Sequence, residues 1–236
     1  MNTASKMIEL PLLAEQSTPE EIFEVGRTLS GEGIKLACSF SVEDVAIIDL
    51  LRSRVGQFTV FAIDTGRLHE ETYEVAEKIS MRYGIEIEWY FPRRQTVEAL
   101  EREKGLFSFR SSLDNRQECC RIRKVEPLQR ALSGASAWIT GMRREQSVTR
   151  TDQQPLEIDH VNGGLLKINP LTFWTEEDVW DYVQSKRLPL NALYQKGYRS
   201  IGCAPCTRAI SGGESARDGR WWWEQPEHRE CGLHRR

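Results

Sequence analysis

The chain has 236 residues, 39% of them hydrophobic and 28% charged. That size fits one large or two small folded domains, and the composition excludes wholesale disorder. A formal charge of −3 argues against a generally basic nucleic-acid binder.

Thr18-Pro19-Glu20-Glu21 reads as a helix start, with a capping threonine, proline at the first helical position and an acidic first turn. Ile22, Phe23, Val25 and Leu29 then supply one apolar face. Ile34 to Phe40 reads as a short strand, and Ser41 caps a helix carrying Val45, Ile47, Ile48 and Leu51. The pattern repeats with a strand Phe58 to Asp64, a helix from about His69 to Tyr83, a stop at Gly84 and a strand Ile85 to Phe91. Further strands are expected at Ala137 to Thr140 and Leu165 to Ile168, and Thr175-Glu176-Glu177-Asp178 opens one more helix. Strands alternating with helices imply an α/β fold, a mostly parallel twisted sheet covered on both faces, with ligands at the C-terminal strand ends. From Tyr194 onward the chain is glycine-rich and charged, and is expected to lie over the domain as a functional tail.

No apolar run approaches the roughly 20 residues that span a bilayer. Residues 1–16 show no basic start, apolar stretch and cleavage site, so no signal peptide is expected. The expected compartment is therefore the reducing cytoplasm, where six cysteines read as ligands or reagents rather than disulfides.

Ser39-Phe40-Ser41-Val42-Glu43-Asp44 joins a strand to a helix, where N–H groups and the helix dipole suit an anion, although an ordinary capped turn has the same pattern. Ile63-Asp64-Thr65-Gly66-Arg67, at the next strand end, could hold ribose hydroxyls or a base edge. Cys119-Cys120 and the distant Cys203-Ala204-Pro205-Cys206 form two close pairs, the way four thiolates are gathered on a metal. A vicinal pair suits an iron–sulfur cluster better than zinc, which stays as the alternative. Cys38, inside the first strand, is assigned to core packing.

Cys231 stands in Glu230-Cys231-Gly232-Leu233-His234 and is either an incidental thiol or a nucleophile whose pKa is lowered by His228, His234 and nearby arginines. Basic residues gather at Arg121, Arg123 and Lys124, at Arg143, Arg144 and Arg150, and at Arg217 and Arg220. Their placement beside cysteines, a strand end and Trp221-Trp222-Trp223 favours an anion pocket over a solvated face. The tryptophans read as docking the tail or walling the cleft.

Together these elements resemble the assimilatory adenosine 5′-phosphosulfate (APS) reductases, close relatives of the 3′-phosphoadenosine 5′-phosphosulfate (PAPS) reductases. The resemblance rests on Ser39 to Asp44, Asp64-Thr65-Gly66, Cys119-Cys120 with Lys124, Gly141-Met142-Arg143-Arg144-Glu145-Gln146-Ser147, Cys203-x2-Cys206 and Glu230 to His234. It implies a single adenine-nucleotide α-hydrolase-like domain over residues 1–206, followed by a mobile catalytic tail, 207–236. It also implies a 4Fe–4S cluster on Cys119, Cys120, Cys203 and Cys206. Lys124, Arg144, Arg217, Arg220 and His234 would then face the phosphosulfate. Ser39, Phe40, Ser41, Ile63, Asp64, Thr65, Gly66, Gly141 and Arg150 would contact the nucleotide.

The implied chemistry is attack by Cys231 on the sulfate sulfur, giving a cysteine S-sulfonate and AMP. Thioredoxin, with glutaredoxin as the variant reductant, would then release sulfite. No nucleic acid or membrane partner is expected, and a homo-oligomer is left open. The rivals are a PAPS-using or dual-specificity reductase, an ATP pyrophosphatase, and a zinc-stabilised binding module. The pyrophosphatase would want a Ser-Gly-Gly-x-Asp-Ser-like loop, from which Phe40, Val42 and Glu43 depart.

Overall fold

The sheet is dictated by alternation along each strand. The computed structural model describes residues 10–146 and 151–225. Six strands, β1 (Ile34–Ala37), β2 (Phe58–Ile63), β3 (Ile87–Tyr90), β4 (Ala137–Ile139), β5 (Leu156–Asp159) and β6 (Leu165–Ile168), align in the order β3-β2-β1-β4-β6-β5. All neighbours are parallel except β5, which pairs antiparallel with β6 at the edge. Successive side chains point to opposite faces. Ile34 and Leu36, Val60 and Ala62, Ala137 and Ile139, and Leu166 and Ile168 therefore enter one apolar core, while Phe61 and Trp138 enter a second.

The first core is covered by α1 (Pro19–Ser30), α2 (Val42–Leu50), α3 (Glu70–Tyr83) and α7 (Glu176–Ser185). Thr18 closes a capping box with Glu21 at the start of α1, and Gly84 ends α3 in the left-handed region at φ 62°, where a side chain is disfavoured. In α2 every residue from Val42 to Asp49 is buried, acidic ones included. Buried Asp49 accepts hydrogen bonds from Tyr83 at 2.8 Å, Tyr182 at 2.6 Å and Arg52 at 3.1 Å, tying α2 to α3 and α7. The chain then crosses back through α4 (Arg94–Lys104), α5 (Leu113–Cys120) and α6 (Glu126–Leu132), and α6 covers the second core with Leu128, Ala131 and Leu132. Each fully buried large apolar side chain contributes about 1.5–3 kcal/mol.

Several boundaries differ from expectation. β1 stops at Ala37, so Cys38 lies just beyond the strand, buried at its end, and β3 is shorter than Ile85 to Phe91. β5, α4, α5 and α6 are elements beyond those that the sequence pattern announces. Among the described residues no helix is long and apolar enough to cross a membrane.

Candidate active site

β1 is flanked by β2 on one side and β4 on the other, so the loops leaving these strands part and open a crevice at their C-terminal ends. A cavity of about 350 Å³ lies there. Its walls include Ser39, Phe40 and Ser41 after β1, Ile63 and Thr65 at β2, and Gly141, Arg143 and Gln146 after β4. Arg217 and Arg220 close one side, and Phe61, Leu128 and Trp138 form an apolar stretch.

The loop after β1 is held by its own acids. Asp44 accepts from the Ser39 amide at 2.6 Å and its hydroxyl at 2.7 Å, while Ser41 accepts from the Asp44 amide. Burial pushes the Asp44 carboxyl up to about 6, against the pull of the two Ser39 donors. The Val42 amide donates to the Tyr194 hydroxyl at 3.0 Å. Phe40 is buried with φ 59°, a conformation unusual for a bulky residue and characteristic of functional loops. Glu43 accepts from Arg143 Nη2 at 3.0 Å and Gln146 Nε2 at 2.8 Å, joining the β1 and β4 loops. Arg143 is therefore already neutralised.

The four expected cysteines meet. α5 runs into a π-helical turn, Arg121–Val125, and on into α6, so Arg116, Cys119, Cys120, Arg123 and Lys124 fall at three- and four-residue spacings along one continuous helix. Cys203 and Cys206 flank a short 3₁₀ turn pinned by the Ala204 amide donating to the Arg67 carbonyl at 2.8 Å. The four sulfurs line a cavity of about 20 Å³ with Phe109 and Trp221, and with Arg67, Arg116, Arg123 and Lys124 as cations. Thr65 Oγ1 and Cys203 Sγ share a 3.2 Å hydrogen bond. Lys124 and Cys203 line both cavities, so they form the dividing wall.

Burial pushes the Cys206 thiol up to about 12 and raises Cys119 as well, so a bound metal must displace protons here. Among the described residues no three His, Cys, Asp or Glu side chains converge on one ion. Four thiols spread around one cavity and ringed by four cations fit a multi-iron cluster, whose thiolates sit on separate irons, better than a single zinc.

Of the expected nucleotide contacts, Ser39, Phe40, Ser41, Ile63, Thr65, Gly141, Lys124, Arg217 and Arg220 line the crevice. Asp64 and Gly66 do not: Asp64 accepts from the Gly66 amide at 2.7 Å and from Tyr73 at 2.9 Å, shaping the turn rather than the wall. Arg144 is not among the crevice-lining residues either. Its Nε donates to the Gln153 carbonyl at 2.8 Å, Nη1 pairs with Glu15, and the guanidinium lies over Phe173, all away from the crevice. Arg150, Cys231 and His234 lie outside the described residues.

Arg220 is 7% exposed. Its Nε is buried without a partner, and no carboxylate among the described residues bonds to it. Such a cation is ready for an anion.

No sequence motif singles out Arg116, Glu101 or Glu224, and the structure uses Arg123 to hold the wall rather than to face the ligand. Arg123 donates to the Thr65 carbonyl at 2.7 Å and to Glu101 at 2.5 Å. Arg116 forks onto Glu224 through two 2.9 Å bonds. Trp221, wholly buried, docks segment 207–225 against the cysteines rather than walling the crevice. The helical spacing of Arg116 and Arg123 to Cys119 and Cys120 was the available signal.

Residues 33–209 match the family described as the phosphoadenosine phosphosulfate reductase domain. The chain is 48% identical to a protein named adenosine 5′-phosphosulfate reductase from Allochromatium vinosum, over 94% of this chain and 86% of that one. It is 45% identical to 5′-adenylylsulfate reductase 3, chloroplastic, from Arabidopsis thaliana, over 96% of this chain and 51% of the longer plant protein. Among solved structures it resembles the phosphoadenylyl-sulfate reductase of Candida auris in a phosphate complex, with TM-score 0.68 and 25% identity over 83% of this chain and 91% of that one. The family match takes in every strand and both cysteine pairs, and the relatives align across the crevice as well, so the chain belongs to the APS/PAPS reductase family.

Proposed function

We propose that this chain reduces adenosine 5′-phosphosulfate to sulfite and AMP in assimilatory sulfate reduction, as an oxidoreductase acting on a sulfur group. The observation that carries the reading is a nucleotide-sized crevice sharing the Lys124–Cys203 wall with four gathered cysteines, in a chain 48% identical to a named APS reductase. The apolar stretch at Phe61, Leu128 and Trp138 suits an adenine. Lys124, Arg217 and Arg220 suit the phosphosulfate.

The Cys231 thiolate attacks the sulfuryl sulfur and the S–O bond to AMP breaks, leaving a cysteine S-sulfonate. Lys124, Arg217 and Arg220 neutralise the departing phosphate, with Arg150 and His234 assigned to the same task. A thiolate of thioredoxin or glutaredoxin attacks Cys231 Sγ, the S–S bond breaks and sulfite leaves. The second thiol of that dithiol resolves the mixed disulfide, supplying the second electron of the pair and restoring Cys231. Held by Cys119, Cys120, Cys203 and Cys206, a 4Fe–4S cluster would supply a fixed charge beside the crevice, balanced by Lys124 and its arginine neighbours. We assign residues 207–236 as the catalytic tail and the cytoplasm as the compartment.

Incubation with APS and no reductant is expected to stop after one turnover, with about 80 Da added on Cys231, the mass of one SO3 group. Addition at Cys38, or none, would overturn the assignment. The resemblance to a phosphoadenylyl-sulfate reductase makes PAPS the second candidate. A kcat/KM for PAPS equal to or above that for APS would select it.

A further inference from the structure

We infer that Gly202 is a positioning residue for the substrate anion, because its missing side chain is the space in which the Arg220 guanidinium lies. The inference rests on the reading of Arg220 as an anion-binding group.

A methyl group at position 202 would stand 2.4 Å from Arg220 Nη2, 2.6 Å from Cζ and 3.0 Å from Nη1. Non-bonded carbon atoms pack at about 3.5–4.0 Å, so the guanidinium and a side chain at 202 cannot coexist. Backbone freedom is not the reason for this glycine, since Gly202 is not among the glycines with positive φ. Space is.

The guanidinium is held by shape. Its carbon lies 4.7 Å from the Trp221 ring centre, and Nη1 donates two long bonds, to Ser200 Oγ and the Ile201 carbonyl, both at 3.3 Å. No carboxylate among the described residues anchors it, and Nε has no partner. Trp221 itself is wholly buried and cannot yield. The way out for a displaced guanidinium is the crevice that it already lines. Because only the far end of a flexible side chain has to move, the fold absorbs the change. The anion site does not, since the displaced group occupies the volume meant for the ligand. Arg220 thus owes its position to a residue that directly precedes the cluster-site residue Cys203 and has no chemistry of its own.

The test is a double-mutant cycle on the anaerobically purified holoprotein, with Gly202→Ala, Arg220→Ala and the double variant. The readouts are iron content and the Kd for ADP, a stable nucleotide with a β-phosphate where APS carries sulfate. Gly202→Ala is expected to weaken ADP binding at least tenfold in the wild-type background and less than twofold in the Arg220→Ala background. Iron content is expected to be unchanged in the double variant. Equal losses in both backgrounds, no loss in either, or loss of iron in both would overturn the inference. Should Arg220→Ala alone bind ADP like the wild type, the anion-binding role of Arg220 fails instead, which separates the two claims.

Discussion

Arg144 and Arg220 looked equivalent as sequence and are opposites as structure. Arg144 is tied to Gln153 and Glu15 and lies over the Phe173 ring, whereas Arg220 keeps an unpartnered Nε beside the crevice. Arg144→Ala is therefore expected to leave the KM for APS within about twofold, while Arg220→Ala raises it by the ~2 kcal/mol or more that a desolvated charge contact is worth. Steady-state kinetics on both variants decide this. Two consecutive arginines at a turn leave on different sides of the backbone, and sequence does not say which side faces the ligand. The cysteines were legible for the converse reason, since four thiols in two close pairs have few other uses in a reducing compartment.

Asp44 carries a pH signature at the same scale. Its carboxyl is raised from 3.8 to about 6 by burial. The neutral form is thus favoured in the folded state, and the stabilisation is complete below pH 4 and lost as pH rises through 6. An asparagine keeps an oxygen for both Ser39 donors. Asp44→Asn should then gain stability relative to the wild type, on the order of 2–3 kcal/mol, between pH 4 and pH 7. Thermal midpoints of both proteins across that range test it, and a constant difference would refute it.

At the scale of elements, what the sequence made legible were those with a strong period or a cap. The Thr18 and Thr175 capping boxes and the Gly84 stop all stand where the residues placed them. α4 is easily passed over because its apolar stripe is short, with Val97 and Leu100 as the only large apolar side chains. β5 is four residues long, although Asn162-Gly163-Gly164 between it and β6 is a hairpin signal that was open to use. The Arg116–Glu224 fork joins α5 to the far end of segment 207–225, and its side chains are 2% and 8% exposed. Glu224→Ala would remove the carboxylate that pairs with the buried Arg116 guanidinium and is expected to cost about 3–5 kcal/mol. A lowered thermal midpoint, with faster proteolysis within 207–225, is the expected readout. An unchanged midpoint would mean that the other contacts of the segment, Trp221 and Thr207 among them, anchor it without the fork.

Over the whole molecule, the buried apolar side chains of the described residues divide into separate clusters. The cluster of Phe109, Trp221 and the cysteines shares no buried residue with the two cores against the sheet. On the proposed reading of the cysteine site, removing iron with a chelator should accelerate amide exchange in residues 107–125 and 203–225 and leave β1, β2 and β4 protected. Uniform acceleration would show that the cysteine site holds the entire fold. The parallel sheet was legible because strands alternate with helices along the chain, while the ion pair that clamps the cysteine unit joins Arg116 to the distant Glu224, a closure that no local pattern encodes.

The π-helical turn at Arg121–Val125 sets the angular phase of one long helix. Each residue of an α-helix advances the rotation by about 100°, so a wide turn shifts everything on one side of it relative to the other. Leu128 and Leu132 lock the far half against the sheet, and Cys119 and Cys120 ride on the near half. The wide turn holds one residue more than an α-helical turn would, so deleting one residue within it would restore ordinary α-helix and leave the two thiols facing as they do now. Such a protein should show a wild-type circular dichroism spectrum and still take up iron. A second residue inserted there, with the turn already widened, would instead swing both thiols round by about 100°, like a key turned in its lock.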